Sequence, residues 1–582
     1  MTANIYKEKI AQLLCAHTGV AESDISKVIT TPPSGVGGDF SVPCFTFARV
    51  MKKSPKIIAE SLAGDINLPE DFDEAVAVNG YLNFFVNKKG YTQSVLLPIH
   101  QKKEQYGVSA TGEGKTIVID FSSPNMGKEL AFHHLRGTML GNSLSRIYKS
   151  CGYRVVRINH LGDWGTSYGK LITMYIKEGL GEDDTSFQSL TIEKLNQLYQ
   201  AFAHAAEAQP ELEDEARETF RTLEAGDERY RKLWQVFRDI TLQELKRLYA
   251  ILGVEFDEYK GEAFFVDQAP SLIKEMQERG LCTTSRGSQV VELDTEDMPP
   301  FMLQKSDGST LYATRDLCAA LYRKKTFNFA KNLYIVDMGQ ALHFRQLVSV
   351  LEKMDIEWAQ DCEHIAFGLI LTKGKDGKWE RGKTRAGGVS LLKDVIESAS
   401  QKILEIINEK NPELVEKENI ARQVAVGALV FSSLKTKRRN DVNFEWDKVL
   451  SFDGDTGPYV VNAHVRLSSI LRKHQETKAV DTLAMLEEAD PDFSNLEEEQ
   501  ARELIGALAL FPEKVLSVLE KNEPCILSQY AISVAEKAHG FIHSCRVLGS
   551  KEELERLYLV NCARIVLKNT LTLLGVPPVE RM

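Results

Sequence analysis

The sequence predicts a multidomain α/β protein, with a doubly wound parallel sheet set between a small α/β module and a helical domain. Three observations carry that reading. The 582 residues exceed what one hydrophobic core holds. From Lys115 onward, short β-branched runs alternate with helical stretches, the pattern of a parallel sheet. Past Leu391 the apolar rhythm is helical, interrupted by Asp453-Gly454-Asp455-Thr456-Gly457-Pro458 and by Pro577-Pro578.

The elements follow in order. A helix is predicted over residues 5–16, then a turn at 31–39 rich in Pro and Gly, a second helix over about 47–63 and an aromatic strand at 81–86. The polar stretch 101–114 closes this module, which spans 1–105. The second domain, 112–395, has strands predicted at 116–120, 153–158, 332–336 and 364–371. A charged, helix-rich block, including 193–199 and 211–249, reads as an insertion over about 170–286. Residues 396–582 make the third domain. No internal repeat or low-complexity tract interrupts this plan.

Composition narrows the function classes. Apolar residues at 43% and charged residues at 26% are ordinary for a globular protein. No run of about 18 apolar residues predicts a membrane span, and the N-terminus lacks a signal-peptide pattern. Nine cysteines without C-x-x-C spacing argue against structural zinc or a disulfide framework and suit a reducing cytosol. A net charge of −11 argues only weakly against a nucleic-acid partner, because a local basic track can sit within an acidic whole.

The stretch from 118 to 144 carries the densest chemistry. Its strand ends in Ser122-Ser123-Pro124-Asn125, and Lys128, His133 and His134 stand where a helix should begin. A strand, a polar turn and a helix N-terminus form a natural seat for phosphate. The turn alone reads equally well as a capped helix start. The loop Gly377-Lys378-Trp379-Glu380-Arg381-Gly382-Lys383-Thr384-Arg385-Ala386-Gly387-Gly388 could close over a triphosphate and neutralise charge on a leaving group, although alone it reads as a solvated basic loop. The basic run 435–439 reads evenly as a phosphate track or a solvated helix face.

The order of residues around Ala131-Phe132-His133-His134 resembles the ATP-binding signature of class I aminoacyl-tRNA synthetases. Asp307-Gly308-Ser309-Thr310-Leu311-Tyr312-Ala313-Thr314-Arg315-Asp316, Asp337-Met338-Gly339-Gln340-Ala341-Leu342-His343-Phe344 and Asn159-His160-Leu161-Gly162-Asp163-Trp164-Gly165-Thr166 resemble the arginyl-tRNA synthetases in particular, and the resemblance runs from Gly38 to Met582. Three departures stand out. The family usually writes its first box His-x-Gly-His, Arg381 replaces the lead lysine of the second loop, and Val460-Val461-Asn462 replaces Leu-Gln-Tyr after Gly-Pro-Tyr.

The resemblance implies an N-terminal tRNA-elbow-binding domain, a Rossmann-like catalytic domain and a helical anticodon-binding domain. It implies arginine–tRNA ligation through arginyl-adenylate, with ATP and Mg2+, L-arginine and tRNA-Arg, in a cytoplasmic monomer without a membrane or a resident metal. Family positions assign catalysis to His134, Lys128 and Lys383, and ATP binding to these three with His133, Gly162, Asp163 and Arg385. Asp120, Tyr312 and Asp316 match positions that hold the guanidinium, and Ser123, Asn125 and Gln340 match positions near the α-amino and carboxylate groups. A carboxylate accepts two parallel N–H bonds from a guanidinium, and lysine or citrulline would leave it badly paired. For Asp316 the plainer alternative is a helix N-terminal acid. Tyr91, Arg438, Arg439 and Tyr459 are the candidate tRNA contacts, Tyr91 as a stacking platform for an unpaired base and the two arginines from the basic run; without the resemblance, Tyr91 reads as a surface or core tyrosine. Two rivals are a paralogue that binds tRNA without activating arginine, and a nucleotidyl transferase of the same sheet type acting on another acceptor.

Overall fold

The computed structural model describes residues 2–33, 36–293, 298–306, 308–374, 377–381 and 390–582. Four parallel strands form the central sheet, in the order Cys362–His364, Lys331–Tyr334, Thr116–Asp120, Arg154–Ile158. Ile117, Val118 and Ile119 are buried, as the β-branched run of a covered parallel strand requires. The strands share one direction, so the loops after Asp120, Ile158 and Tyr334 gather at one carboxyl edge. Ligands bind at that edge in open α/β sheets.

Two expectations are corrected. The expected strand over 364–371 is two strands in two sheets. Cys362–His364 belongs to the central sheet, whereas Ile370–Lys373 pairs with Trp379–Arg381 and Val442–Asn443. Gly368 marks the crossing, because a Cβ there would lie 2.6 Å from the Asn440 backbone. The expected helix over 47–63 breaks at Lys52, whose φ is 52°, and restarts at Pro55 with Ser54 capping the Ile57 N–H. Proline disfavours helix in the residue before it and suits a helix's first turn, so Ser54-Pro55 starts a new helix.

Around this sheet, the helix Thr166–Lys177 packs on Ile192–Ala208 and Glu211–Glu224, and Glu228–Leu252 covers them. The chain then returns to the sheet edge, where Glu258 bridges to Ile158. An antiparallel sheet of Thr283–Ser285, Ser288–Val291 and Phe301–Gln304 follows. Before the central sheet, Phe40–Pro43, Tyr81–Val86 and Phe72–Val78 make a three-stranded antiparallel sheet with its own core around Tyr6, Phe47 and Phe84.

The core of the central sheet continues into the C-terminal helices. Glu553–Leu574 is long and apolar enough to cross a membrane, yet 78% of its apolar window is buried inside the protein. It is the strut of the helical domain, packed on Gly457–Lys478, Cys525–Ser544, Lys88–Lys102 and His134–Ser150.

Candidate active site

The strand Thr116–Asp120 ends in an unusual turn. Ser122 and Ser123 have φ of 71° and 40°, conformations that cost non-glycine residues about 1–3 kcal/mol. Hydrogen bonds hold them there. Ser122 Oγ bonds Thr138 Oγ1 and the Tyr249 hydroxyl, both at 2.8 Å, and Ser123 Oγ donates to Asp120 Oδ1 at 2.8 Å. The helix His134–Ser150 then begins, preceded by His133 at φ −65°, ψ −21°. That is ordinary right-handed backbone, so the His133 position makes no demand for glycine. Its ring lies 4.2 Å from the His134 ring.

The box is stitched to the chain that leaves the second loop. The Phe132 N–H donates to the Ser390 carbonyl at 2.8 Å, and the Leu392 N–H to the Leu130 carbonyl at 2.9 Å. Lys383 and Arg385 themselves lie outside the described residues. Lys128 Nζ sits 3.8 Å over the Tyr199 ring, a cation–π contact with the insertion helix Ile192–Ala208.

A second cluster gathers on the helix Tyr312–Phe327, where Tyr312, Asp316 and Arg323 follow at steps of four and seven. Tyr312 is 49% exposed, its ring 5.0 Å from that of His343, and it borders a cleft of about 400 Å³ with Thr166, Phe220, Glu224 and Lys305. Asp316 Oδ2 accepts from His343 Nε2 at 2.8 Å, and Oδ1 lies 3.3 Å from His160 Nε2. Burial alone would raise the Asp316 carboxyl. Its contacts with the two imidazoles outweigh that and hold it well below the usual carboxylate range. Its side chain keeps 20% exposure, so one face stays open.

Asp120 is paired within the protein. Its Oδ2 accepts from Arg323 Nη2 at 2.7 Å, its Oδ1 holds Ser123, and the residue is 5% exposed. A carboxylate buried this deeply needs an internal counter-ion, and the protein's own guanidinium fills that role. Nearby, Arg315 donates to Glu262 Oε2 through Nη2 and Nε at 2.6 and 2.9 Å. The sequence reading assigned no role to His160, His343, Glu262, Arg315 or Arg323. His160, His343 and Arg315 lay inside the matched segments, and Arg323 sits seven residues past Asp316 on the same helix face.

Other expected residues divide similarly. Asn125 and Gln340 are exposed at the sheet edge. Gly162 pairs with Asn125, and a Cβ on it would meet Asn125 Oδ1 at 2.5 Å, so glycine lets these two loops meet. Asp163 is engaged within the protein. Its side chain is buried, with Oδ2 accepting from Arg238 Nε at 3.0 Å and Oδ1 from the Ala263 N–H at 2.9 Å. It ties the insertion to the sheet. Among the described residues, no group of three or more His, Cys, Asp or Glu is placed to hold a metal ion.

Of the tRNA expectations, Arg439 is exposed, and Tyr459 stands half-buried, its ring 4.9 Å from that of His539. Arg438 is partly turned inward. Its Nη1 donates to the Ala366 carbonyl at 2.8 Å, while its backbone N–H binds Glu523 at 2.7 Å, so the side chain braces the turn. The buried Arg136 donates to the Lys437 and Arg438 carbonyls, at 3.1 and 3.0 Å, from the other side. Tyr91 is half-buried. Its ring packs edge-on to Tyr6 at 5.4 Å, and burial pushes its phenol up. The exposed aromatic pair of this module is Phe45 and Tyr81, 56% and 41% exposed with rings 5.6 Å apart.

A carboxyl-edge site on a parallel sheet, with a His-bearing helix N-terminus and a helical domain behind, fits the class I aminoacyl-tRNA synthetases, whose catalytic-domain model matches this chain. Family models match in sequence: the arginyl tRNA synthetase N terminal domain at residues 4–86, the class I (R) tRNA synthetase catalytic domain at 95–446, and the DALR anticodon binding domain at 460–582. Arginine–tRNA ligases of Alkaliphilus metalliredigens and Clostridium botulinum (strain Alaska E43) are 41% and 42% identical over 580 residues, covering 99% of this chain and all of theirs. The arginyl-tRNA synthetase structure of Thermus thermophilus superposes with a TM-score of 0.78 at 26% identity, covering 99% of both chains. The Plasmodium falciparum structure shares the fold, with a TM-score of 0.75 at 23% identity and 95% and 94% coverage. The chain belongs to the arginyl-tRNA synthetase family.

Proposed function

We propose a division of labour for this arginine–tRNA ligase, carried by one observation: a carboxylate held ionised between two imidazoles, its side chain still 20% exposed and four residues past Tyr312 on the same helix. The substrate guanidinium seats on Asp316 against Tyr312, and Gln340, Asn125 and Ser123 address its amino acid end. ATP lies across the edge toward His133, His134 and Lys128, with Gly162 offering backbone. Its magnesium arrives as part of the nucleotide, and Lys383 and Arg385 join from the second loop. Arginine's carboxylate attacks the α-phosphate, pyrophosphate leaves, and the terminal ribose of tRNA-Arg then takes the arginyl group. Positioning and charge stabilisation do this work without a dedicated general base.

Transfer RNA runs from the N-terminal module to the helical domain, past Arg439 and Tyr459. The exposed Phe45–Tyr81 pair suits an unpaired base better than the half-buried Tyr91 does. We place the enzyme in the cytoplasm as a monomer.

Charging of tRNA-Arg with radiolabelled arginine, ATP and magnesium tests this reading. Asp316→Ala is expected to abolish charging while tRNA is still retained on a filter. Equal loss of both would sink the assignment. Activity of the wild type would exclude a paralogue that merely binds tRNA.

A further inference from the structure

The guanidinium seat contains a charge balance that bears on when arginine can enter. Three carboxylates meet there, Asp120, Glu262 and Asp316, with two guanidiniums, Arg315 and Arg323. With neutral imidazoles the cluster carries one unmatched negative charge. That suits one incoming cation.

His160 sits at the centre of this balance, on the loop after Arg154–Ile158. Asp316 and Arg323 face it from the helix Tyr312–Phe327, and Asp120 acts on it from the strand Thr116–Asp120. Glu262, paired with Arg315, senses it from the segment Glu262–Gln268. His343 approaches the same Asp316 carboxylate from the helix Ala341–Lys353. The Phe265 ring stacks beside His160 at 5.8 Å. Arg323 Nη2 stands 3.5 Å from His160 Nδ1. An arginine only donates, so Nδ1 accepts and the neutral ring carries its proton on Nε2, toward Asp316.

We propose that His160 is a positioning residue acting through Asp316, and that arginine seats only while His160 is neutral, so that binding is coupled to release of a proton from this ring. This rests on the reading that Asp316 receives the guanidinium. Protonating His160 cancels the one unmatched negative charge and sets an N–H against the Arg323 donor. A second cation would then enter a site with nothing left to compensate it. Burial opposes charge on His160, but Asp316 and Asp120 together raise its titration above the ordinary imidazole range. The sign follows. Arginine affinity is full above that titration and falls as pH drops through it.

The test is the KM for arginine in tRNA-dependent pyrophosphate exchange from about pH 6 to about pH 9, a window that brackets imidazole titration. The KM for ATP is measured alongside. The expected result is an arginine KM that rises about tenfold per pH unit on the acid limb, without a matching rise for ATP. His160→Gln keeps an N–H donor but cannot charge, and is expected to flatten that limb. Calorimetry of arginine binding to the wild-type enzyme with tRNA, in two buffers of different ionisation heat, needs no variant. It is expected to report release of up to about one proton at the acid end. A flat wild-type profile with no proton release, or an acid limb that survives His160→Gln, overturns the coupling. An arginine KM unchanged in Asp316→Asn would instead overturn the seat itself.

Discussion

Asp120 and Asp316 stand at the same edge of the same sheet, and a family resemblance assigns both to the substrate guanidinium. Their surroundings separate them. Asp120 is enclosed, with Arg323 on one oxygen and Ser123 on the other. Asp316 is braced by two imidazoles, yet one-fifth of its side chain still meets solvent. The difference teaches that a carboxylate's role is decided by which of its acceptor positions the protein has already filled. Residue type and position do not report that.

The largest effect should come from setting these two against each other. Asp316→Asn is expected to lower kcat/KM for arginine by about 10³–10⁴-fold, roughly 4–5.5 kcal/mol of transition-state binding, with little change in thermal stability. Asp120→Asn strands a buried Arg323 and is expected to cost about 3 kcal/mol of folding stability, with a smaller secondary effect on arginine. Steady-state kinetics and denaturant melts of both variants decide it. A stable Asp120→Asn enzyme with a thousandfold defect for arginine would erase the distinction drawn here.

The same contrast recurs in the basic turn after the helix Lys417–Leu434. Arg438 is turned inward onto the Ala366 carbonyl, and Arg439 faces solvent. Arg438→Met is expected to destabilise the fold by about 2 kcal/mol, the usual scale for losing a charged donor to a buried carbonyl. Arg439→Gln should leave stability alone and raise the KM for tRNA a few-fold. It should also flatten the salt dependence of tRNA binding by somewhat less than one unit of log–log slope. A salt slope unchanged in Arg439→Gln would remove that side chain from the phosphate track.

Much of this was legible in the chain itself. The run Thr116–Asp120 and the helix start near His134 follow from local pattern, whereas Tyr312 and Asp316 were reached through the family resemblance. What the sequence hid was long-range partnership. Arg323 finds Asp120 across 203 positions, and Arg238 finds Asp163 across 75. Nothing local marks an arginine as the one that will fill a family carboxylate. The strand expected over 364–371 failed for a related reason: a continuous apolar run says nothing about which of two sheets each half joins, and only the close approach at Gly368 records the crossing. The split at Lys52 was different, since Ser54-Pro55 announced it in the chain.

The smallest contrast concerns two tyrosines of the N-terminal module. Tyr91 is wedged against Tyr6, and its ring edge helps join that module to the helix Lys88–Lys102. Tyr81 projects beside Phe45, and the glycine before it, with φ of 84°, lets the turn approach Pro55 and Phe45 closely. An exposed aromatic pair offers an unpaired base a flat face, and such stacking contributes about 1–3 kcal/mol per base. Tyr81→Ala is therefore expected to raise the KM for tRNA by about five- to a hundredfold, with the arginine KM and the melting temperature little changed. Tyr91→Phe keeps the packed ring and should leave tRNA binding within about twofold. Reversal, with Tyr91→Phe weakening tRNA and Tyr81→Ala silent, would mean that the Tyr91 phenol reaches tRNA from its packed position, and that burial is a poor guide to the tRNA-facing side of this module.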